Sequence, residues 1–334
     1  MSGPRLNRDD YTVGWICALP VELKAVRAML DEQHQLPEQR DGDNNSYTVG
    51  RIGVHNVVIA ILPAGRIGTN PAATIGSDMS SSFRNLRFAL MVGIGGGVPS
   101  DKNDIRLGDV VVSVPAGRYP GVVQYDMGKA MSGDIFEPTG FLNSPPPIVL
   151  TTVNALQSLD REKLSKHLSV FDVRSPHSGH PYPGQEQDQL YKAEYNHRYP
   201  NDETCDSCDA YNLEPRSIRD NNPFYHYGTV ASGNLVIRDG TKRDKLEKEH
   251  GILCFEMEAA GLMNMFPCLV IRGISDYCDS HKKKRWQPYA AATAAAYAKV
   301  LLEHIPLSQQ MREPYASAED GKTAPWTLPR LVFA

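Results

Sequence analysis

Two periodicities alternate along this chain: short runs of β-branched and aromatic residues, then segments whose apolar residues recur at helical spacing. Residues 11–19 (YTVGWICAL) read as a buried strand. Pro20 then opens a helix over 21–30, with Val21, Ala25, Ala28 and Met29 near one face. Proline costs nothing in a first turn, where its missing N–H has no partner to lose. Strands are predicted at 47–52 and 54–62, and a small-residue helix at 72–83. At 86–92 lies a continuous apolar run, as a strand covered on both faces requires. Gly93-Ile-Gly-Gly-Gly97 is expected to end that run as a turn, and 105–115 begins another strand. Further along, strands at 227–232, 252–255 and 268–274 alternate with helices at 242–250, 259–265 and 289–304. Such alternation defines the α/β class.

One stretch breaks the pattern. From about 158 to 225 the chain is polar, with clusters of Pro, His, Tyr and Asp and little periodicity. Regular structure resumes directly afterwards, so this is an insertion within a single domain spanning 11–305. Residues 306–334 form a polar, Pro-containing arm. Asp41–Ser46 looks like the start of a calcium loop. However, Ser46 stands where the loop needs Gly, and Ile52 where it needs a bidentate Glu, so a turn is expected.

Composition narrows the function classes. The 334 residues carry 35 Lys+Arg against 39 Asp+Glu, a net charge of −4, which excludes the basic field of a general nucleic-acid binder. With 41% hydrophobic residues the chain is globular and not disordered. No apolar run approaches the ~20 residues needed to span a bilayer. The N-terminal MSGPRLNRDD lacks the apolar region of a secretory signal, and six cysteines are no disulfide framework. The expectation is a reduced, cytoplasmic protein without membrane or nucleic-acid partners.

Several motifs carry chemistry. The glycine run is not a dinucleotide fingerprint, because Gly93-x-Gly95-x-x lands on Val98 and Pro99 follows in place of a helix. Close approach of the backbone to a flat ligand fits better. Glu22 lies in a helical first turn, where acidic residues also serve the helix dipole. Phe255-Glu-Met-Glu258 sets two carboxylates at i and i+2, which do not share a helix face, so the two have different jobs. Burying them requires partners. Ser275-Asp276 follows an apolar strand, at the end where open α/β sheets bind ligands. Cys205-x-x-Cys208, with His197 and His226 nearby, has zinc-ligand types. A single CxxC is weak, two ordinary thiols is the simpler reading, and no metal is assigned. His281-Lys-Lys-Lys-Arg285 is either a solvated loop or a phosphate contact.

Seven of these segments, in order, resemble the nucleoside phosphorylase superfamily, which holds purine and uridine phosphorylases and methylthioadenosine/S-adenosylhomocysteine nucleosidases. They are Val13-Gly-Trp-Ile-Cys-Ala-Leu-Pro-Val-Glu22, Gly65-Arg-Ile-Gly68, Val92-Gly-Ile-Gly-Gly-Gly97, Arg106-Leu-Gly-Asp-Val-Val-Val112, Ala231-Ser-Gly-Asn234, Phe255-Glu-Met-Glu-Ala259 and Arg272-Gly-Ile-Ser-Asp276. The whole looks like the fungal branch, where such a domain stands alone or ahead of NTPase and repeat modules. The resemblance implies a three-layer α/β fold with a central mixed, partly barrel-like sheet flanked by helices. It also implies no cofactor and a homo-oligomer, dimer or trimer.

The implied roles map residue by residue. Asp276 protonates or hydrogen-bonds purine N7, with Ser275 beside it; Glu258 grips the ribose diol, and Met257 packs under the sugar. Gly95 and Gly96 lie beside the base, Asn234 and Val236 along its pocket, and Glu22 activates water. The implied activity is hydrolysis of a purine N-glycosidic bond, adenine being the favoured base and ATP among the candidate substrates. Met91 replaces an Arg that family phosphorylases use, which favours water over phosphate. Phosphorolysis, with Arg66 and Arg118 on phosphate, stays open, as does a nucleotide sensor without turnover. Charged insertion residues (His177, His180, Lys192, His197, Arg198, Arg216), Tyr191 and His281–Arg285 are expected on the 5′ side of a phosphorylated ligand. Burial of Asp276 and exposure of Glu22 are expected to separate their protonation states.

Overall fold

The computed structural model describes residues 3–307 apart from 133–134, 176, 200–201, 203 and 221. Its strands are β1 (Val13–Cys17), β2 (Glu32–Gln33), β3 (Tyr47–Ile52), β4 (His55–Ile61), β5 (Phe88–Gly97), β6 (Val110–Ser113), β7 (Val122–Gln124), β8 (Gly128–Met131), β9 (Ile135–Pro138), β10 (Tyr225–Ser232), β11 (Ile252–Glu256) and β12 (Cys268–Asp276). The α-helices are α1 (Pro20–Met29), α2 (Thr69–Ser82), α3 (Pro147–Leu156), α4 (Arg161–Leu164), α5 (Gly240–His250) and α6 (Gln287–His304).

The main sheet runs β11-β10-β6-β12-β5-β1-β4-β3-β2, and β11 pairs again with β5, setting Cys254 against Gly97 and Phe255 against Gly96. Five strands therefore close into a barrel, from which β1, β4, β3 and β2 extend as an open wing. Parallel and antiparallel pairs mix: β5 is parallel to β1 and β12, while β12 is antiparallel to β6. This is the mixed, partly barrel-like sheet with flanking helices that the resemblance implied.

Two apolar layers hold the sheet. On one face Trp15, Leu90 and Ile271 pack with Val26 and Met29 of α1 and Val300 and Leu301 of α6. On the other, Ile16, Met91 and Val270 pack with Ile75 and Met79 of α2. Each such aliphatic side chain contributes about 2 kcal/mol by leaving water. The alanines of α6 let it lie against the sheet: a Cβ on Gly273 of β12 would stand 1.8 Å from the Ala290 carbonyl oxygen.

Differences from the sequence expectations are local. The glycine run is not a turn: β5 continues through Gly97, none of Gly93–Gly97 has positive φ, and neighbours press on the strand too closely for side chains. In place of a helix over 259–265 there is a short 3₁₀ turn, Ala259–Gly261. Helix α3 and the β8–β9 hairpin carried no clear periodicity. The inserted segment adds no strand to the main sheet among the described residues, yet Leu164, Leu168 and Phe171 join the core. Lys166 and His167 pair with Glu303 of α6. The arm expected after 305 lies almost wholly outside the described residues. No helix among them is long and apolar enough to cross a membrane.

Candidate active site

Parallel strands β1, β5 and β12 end at one edge of the sheet, and β11 crosses β5 there. Each strand end or the turn after it brings a polar group into apolar surroundings. Glu22, in the first turn of α1, folds its side chain back over the turn that follows β1. Its Oε2 accepts the Ala18 and Leu19 N–H groups (2.7 and 2.9 Å), and its Oε1 accepts the Ile94 N–H of β5 (2.8 Å). A carboxylate offers about four acceptor positions. Among the described residues three are engaged, and Oε1 keeps the last. Burial pushes this carboxyl above its ordinary range, while Arg272 and the three N–H donors oppose the shift.

Arg272 is the cation shared by the glutamates of the site. It lies fully buried in β12, pairs through Nη2 with Glu256 and with Glu258 (3.3 Å), and donates through Nη1 to the Ile94 carbonyl (3.4 Å). The two glutamates do have different jobs. Glu256 also accepts the Glu258 and Ala259 N–H groups (3.1 and 3.0 Å) and so shapes the turn after β11. That turn presents Glu258 to the Gly68 loop. Burial pushes the Glu258 carboxyl up to about 7; Arg272 opposes this, and the negative charges of Glu256 and Glu22 add to it.

Asp276 ends β12. Its Oδ1 accepts the Cys278 N–H (3.0 Å), and its Oδ2 takes the Ser275 hydroxyl (3.0 Å) and the Lys282 ammonium (2.9 Å). The same hydroxyl lies 3.3 Å from the Gly95 carbonyl, an alternative acceptor on β5 for its one proton. Glu22 is anchored at Ile94 and Asp276 stands against Gly96, two residues or about 7 Å along the same strand. The glycines make this possible by having no side chain. A Cβ on Gly93 would lie 2.3 Å from Glu22 Oε1 and 2.7 Å from Arg272 Nη1. One on Gly96 would lie 2.1 Å from Cys278 Sγ and 2.8 Å from Asp276 Oδ1.

Other expected residues are placed variously. Asn234 accepts the Thr69 N–H and hydroxyl (3.0 and 3.1 Å) and thereby caps α2 from a distant loop. Val236 is half exposed on that loop, which the Tyr125 hydroxyl holds through the Leu235 carbonyl (2.8 Å). Met257 is half buried between Glu256 and Glu258, and Arg66 is exposed on the Gly65–Gly68 loop. Arg118 rests on Tyr119, whose hydroxyl meets His250, a different set of partners from the carboxylates.

One expectation is corrected, and two sets of expected phosphate contacts are found on protein partners. Glu22 is not the exposed partner of a buried Asp276; both are 3% exposed. Arg216 is not a free phosphate arm: it is tied to Asp104, the Tyr277 hydroxyl and the Ile105 carbonyl, each at 2.6 Å. The basic run is largely engaged as well, Lys282 on Asp276, Lys283 on the Asp202 carbonyl and Arg285 on Gln187. Sequence reasoning gave no role to Arg272, left the job of Glu256 unspecified and set Lys282 on phosphate. A signal for the first was present, since an arginine inside the apolar run 268–274 must find buried carboxylates.

Glu258 sets a pH dependence for the empty protein. Its carboxyl titrates near 7 when folded against an ordinary 4.5, so the folded state holds the proton more tightly. Stability from this group is full below about pH 4.5 and is lost as pH rises toward 7, by about 3 kcal/mol at most. Thermal melts between pH 5 and 7.5 are expected to fall with rising pH, and Glu258→Gln to flatten that slope. An unchanged slope in the variant contradicts the assignment.

Against this geometry, comparison with known proteins is direct. The family model described as Phosphorylase superfamily matches residues 12–304, and the chain belongs to that family. A nucleotide-binding leucine-rich repeat (NLR)-like protein of Hyaloscypha variabilis is 48% identical over 304 residues, covering 90% of this chain and 30% of that protein. The chain thus spans under a third of that relative's length. A 5′-methylthioadenosine/S-adenosylhomocysteine nucleosidase of Mycobacterium tuberculosis is 25% identical over 306 residues, 89% of this chain and 97% of that one. ATP nucleosidase Cap17 of Escherichia coli is 37% identical over 82 residues, 23% of this chain and 16% of that protein. Among solved structures, the Neisseria meningitidis methylthioadenosine/S-adenosylhomocysteine nucleosidase in complex with methylthio-immucillin-A shares the fold. Its TM-score is 0.57 at 15% identity, covering 87% of this chain and 98% of that one.

Proposed function

We propose that the chain is an N-glycosyl hydrolase that releases a purine base, adenine by preference, from a nucleoside or nucleotide. Glu22 takes a proton from the attacking water through the remaining acceptor position of Oε1. Water adds to C1′ of the ribose as the C1′–N9 bond breaks. Asp276 supplies a proton or a hydrogen bond to N7 of the departing base, and Glu258 holds the ribose diol. Ionised Glu258 also steadies the positive charge that develops on the ring. The 5′ substituent leaves with the sugar.

The observation that carries this reading is the charge balance around Arg272. One guanidinium serves Glu256 and Glu258 directly and feels Glu22 nearby. An excess of carboxylates suits a neutral nucleophile and a developing cation, and repels inorganic phosphate. Support for a purine and for ATP comes from the relatives, among them a methylthioadenosine/S-adenosylhomocysteine nucleosidase and an ATP nucleosidase. The engaged states of Arg216 and Lys282 leave fewer cations for a 5′-phosphate than the sequence offered. We also expect a homo-oligomer, as the family resemblance implies.

The test is chromatography of products after incubation with adenosine, 5′-methylthioadenosine and ATP, each with and without inorganic phosphate. Free adenine without phosphate is the expected result, and the fastest substrate identifies the 5′ group. Adenine only in the presence of phosphate assigns phosphorolysis instead. Nucleotide binding with no product from any substrate assigns a sensor.

A further inference from the structure

The insertion carries Cys205-Asp-Ser-Cys208, and the fold brings His197 to these cysteines: one ring nitrogen and the two sulfurs lie within 4.8 Å of one another. His226, the other histidine near in sequence, is elsewhere, bonded to Asp109 at 2.9 Å. A second, independent observation comes from the loop after β12. His281 is 7% exposed, and among the described residues neither of its ring nitrogens has a hydrogen-bond partner. A buried imidazole without a partner is costly unless something else takes its lone pair. Its ring centre stands 5.3 Å from that of His197. Two imidazoles on one tetrahedral zinc, each with Zn–N near 2.05 Å, have centres about 5 Å apart.

We propose that His197, Cys205, Cys208 and His281 form a structural zinc site that clamps the insertion onto the loop following Asp276. Two thiolates and two neutral imidazoles balance the charge of one Zn²⁺, so the closed site is neutral and tolerates burial. Tetrahedral Zn–S geometry needs the sulfurs about 3.8 Å apart, which is inside the 4.8 Å that bounds their present spacing. The surroundings fit ligand duty. His197 Nε2 meets the Thr204 carbonyl at 2.9 Å, which leaves Nδ1 as the donor in exchange for the Tyr199 N–H it now accepts at 3.2 Å. His281 is stacked on Tyr191, with ring centres 3.9 Å apart at 14°, so its plane is set. His281 lies outside the three-atom cluster as it stands, so the site requires a shift of its ring that brings Nε2 to the metal, with Asp279 Oδ1, now 3.8 Å from Nδ1, holding the other nitrogen.

The location gives the site a purpose. His281 adjoins Lys282, whose ammonium reaches Asp276. The same loop is tied to the insertion by the His197 N–H on Ser280 Oγ (2.8 Å) and by Lys283 on the Asp202 carbonyl. A metal there fixes the segment that supports the N7 acid.

The test reads the metal itself and is independent of enzyme turnover. The full chain is stripped with a chelator and titrated with cobalt(II). About one equivalent is expected to bind, with a sulfur-to-cobalt charge-transfer band and the intense visible bands of tetrahedral cobalt, and zinc is expected to displace it. Cys205→Ser with Cys208→Ser abolishes the charge-transfer band. His281→Ala weakens binding at least about tenfold and dims the tetrahedral bands, while His226→Ala changes neither. Wild-type protein that gives no charge-transfer band overturns the site, and a His281→Ala spectrum identical to wild type overturns the fourth ligand. Because binding is measured without substrate, failure here is separable from failure of the hydrolase reading.

Discussion

Glu22→Gln is expected to lower kcat by about 10³-fold while leaving nucleoside binding within a few-fold of wild type, the loss typical of removing a positioned general base. Only one amide oxygen then faces the three N–H groups that now converge on the carboxylate. The amide NH₂ meets at least one of them donor to donor. Folding stability is therefore expected to fall by about 1–3 kcal/mol as well. Initial rates across substrate concentrations separate the two effects, because a chain that merely unfolds loses active fraction and melts early. Wild-type kcat in a folded Glu22→Gln variant would remove Glu22 from the chemistry and return phosphate to consideration.

The second large effect is on stability. Arg272→Ala leaves Glu256, Glu258 and Glu22 buried without their cation, and breaking a buried charge network by removing one partner costs about 3–5 kcal/mol. For a chain of this size that is a fall in Tm of about 5–10 °C. The sign of its pH dependence is distinctive. Without the guanidinium the carboxyls are pushed further up by one another, so the variant should recover part of its stability at pH 5, where they take protons. Arg272→Lys is expected to recover less than the charge alone suggests, since an ammonium cannot reach two carboxylates and the Ile94 carbonyl as a planar fork does. A melting temperature unchanged at pH 7.5 would mean that the network contributes nothing net.

Much of this protein was legible from residue order alone, for identifiable reasons. Strands β1, β4, β5, β11 and β12 are continuous apolar runs, because a sheet covered on both faces admits little else. Helix α1 announced itself through Pro20 and its apolar face. Glu22, Glu258 and Asp276 each sit where a strand gives way to a turn or helix, so that position suggested a site before any fold was known. The glycine run was misjudged as a turn because a glycine needed for close approach and one needed for positive φ look the same in sequence. What decides between them is a neighbour distant in the chain, here Cys254, Cys278 and Glu22.

Partnership was decided only by the tertiary structure. Lys282 and Arg216 read as cations for a phosphate because charge is visible in sequence and its neutralisation is not. Their partners, Asp276 and Asp104, lie 6 and 112 residues away. The fold likewise brings His197 to the cysteines and leaves His226 on Asp109, although both histidines lie within about twenty residues of Cys208 in sequence. Local order determined the elements and the kinds of chemistry available. Which groups meet was determined by closure of the barrel, since electrostatic and hydrogen-bonding interactions act over a few ångströms of space and are indifferent to separation along the chain.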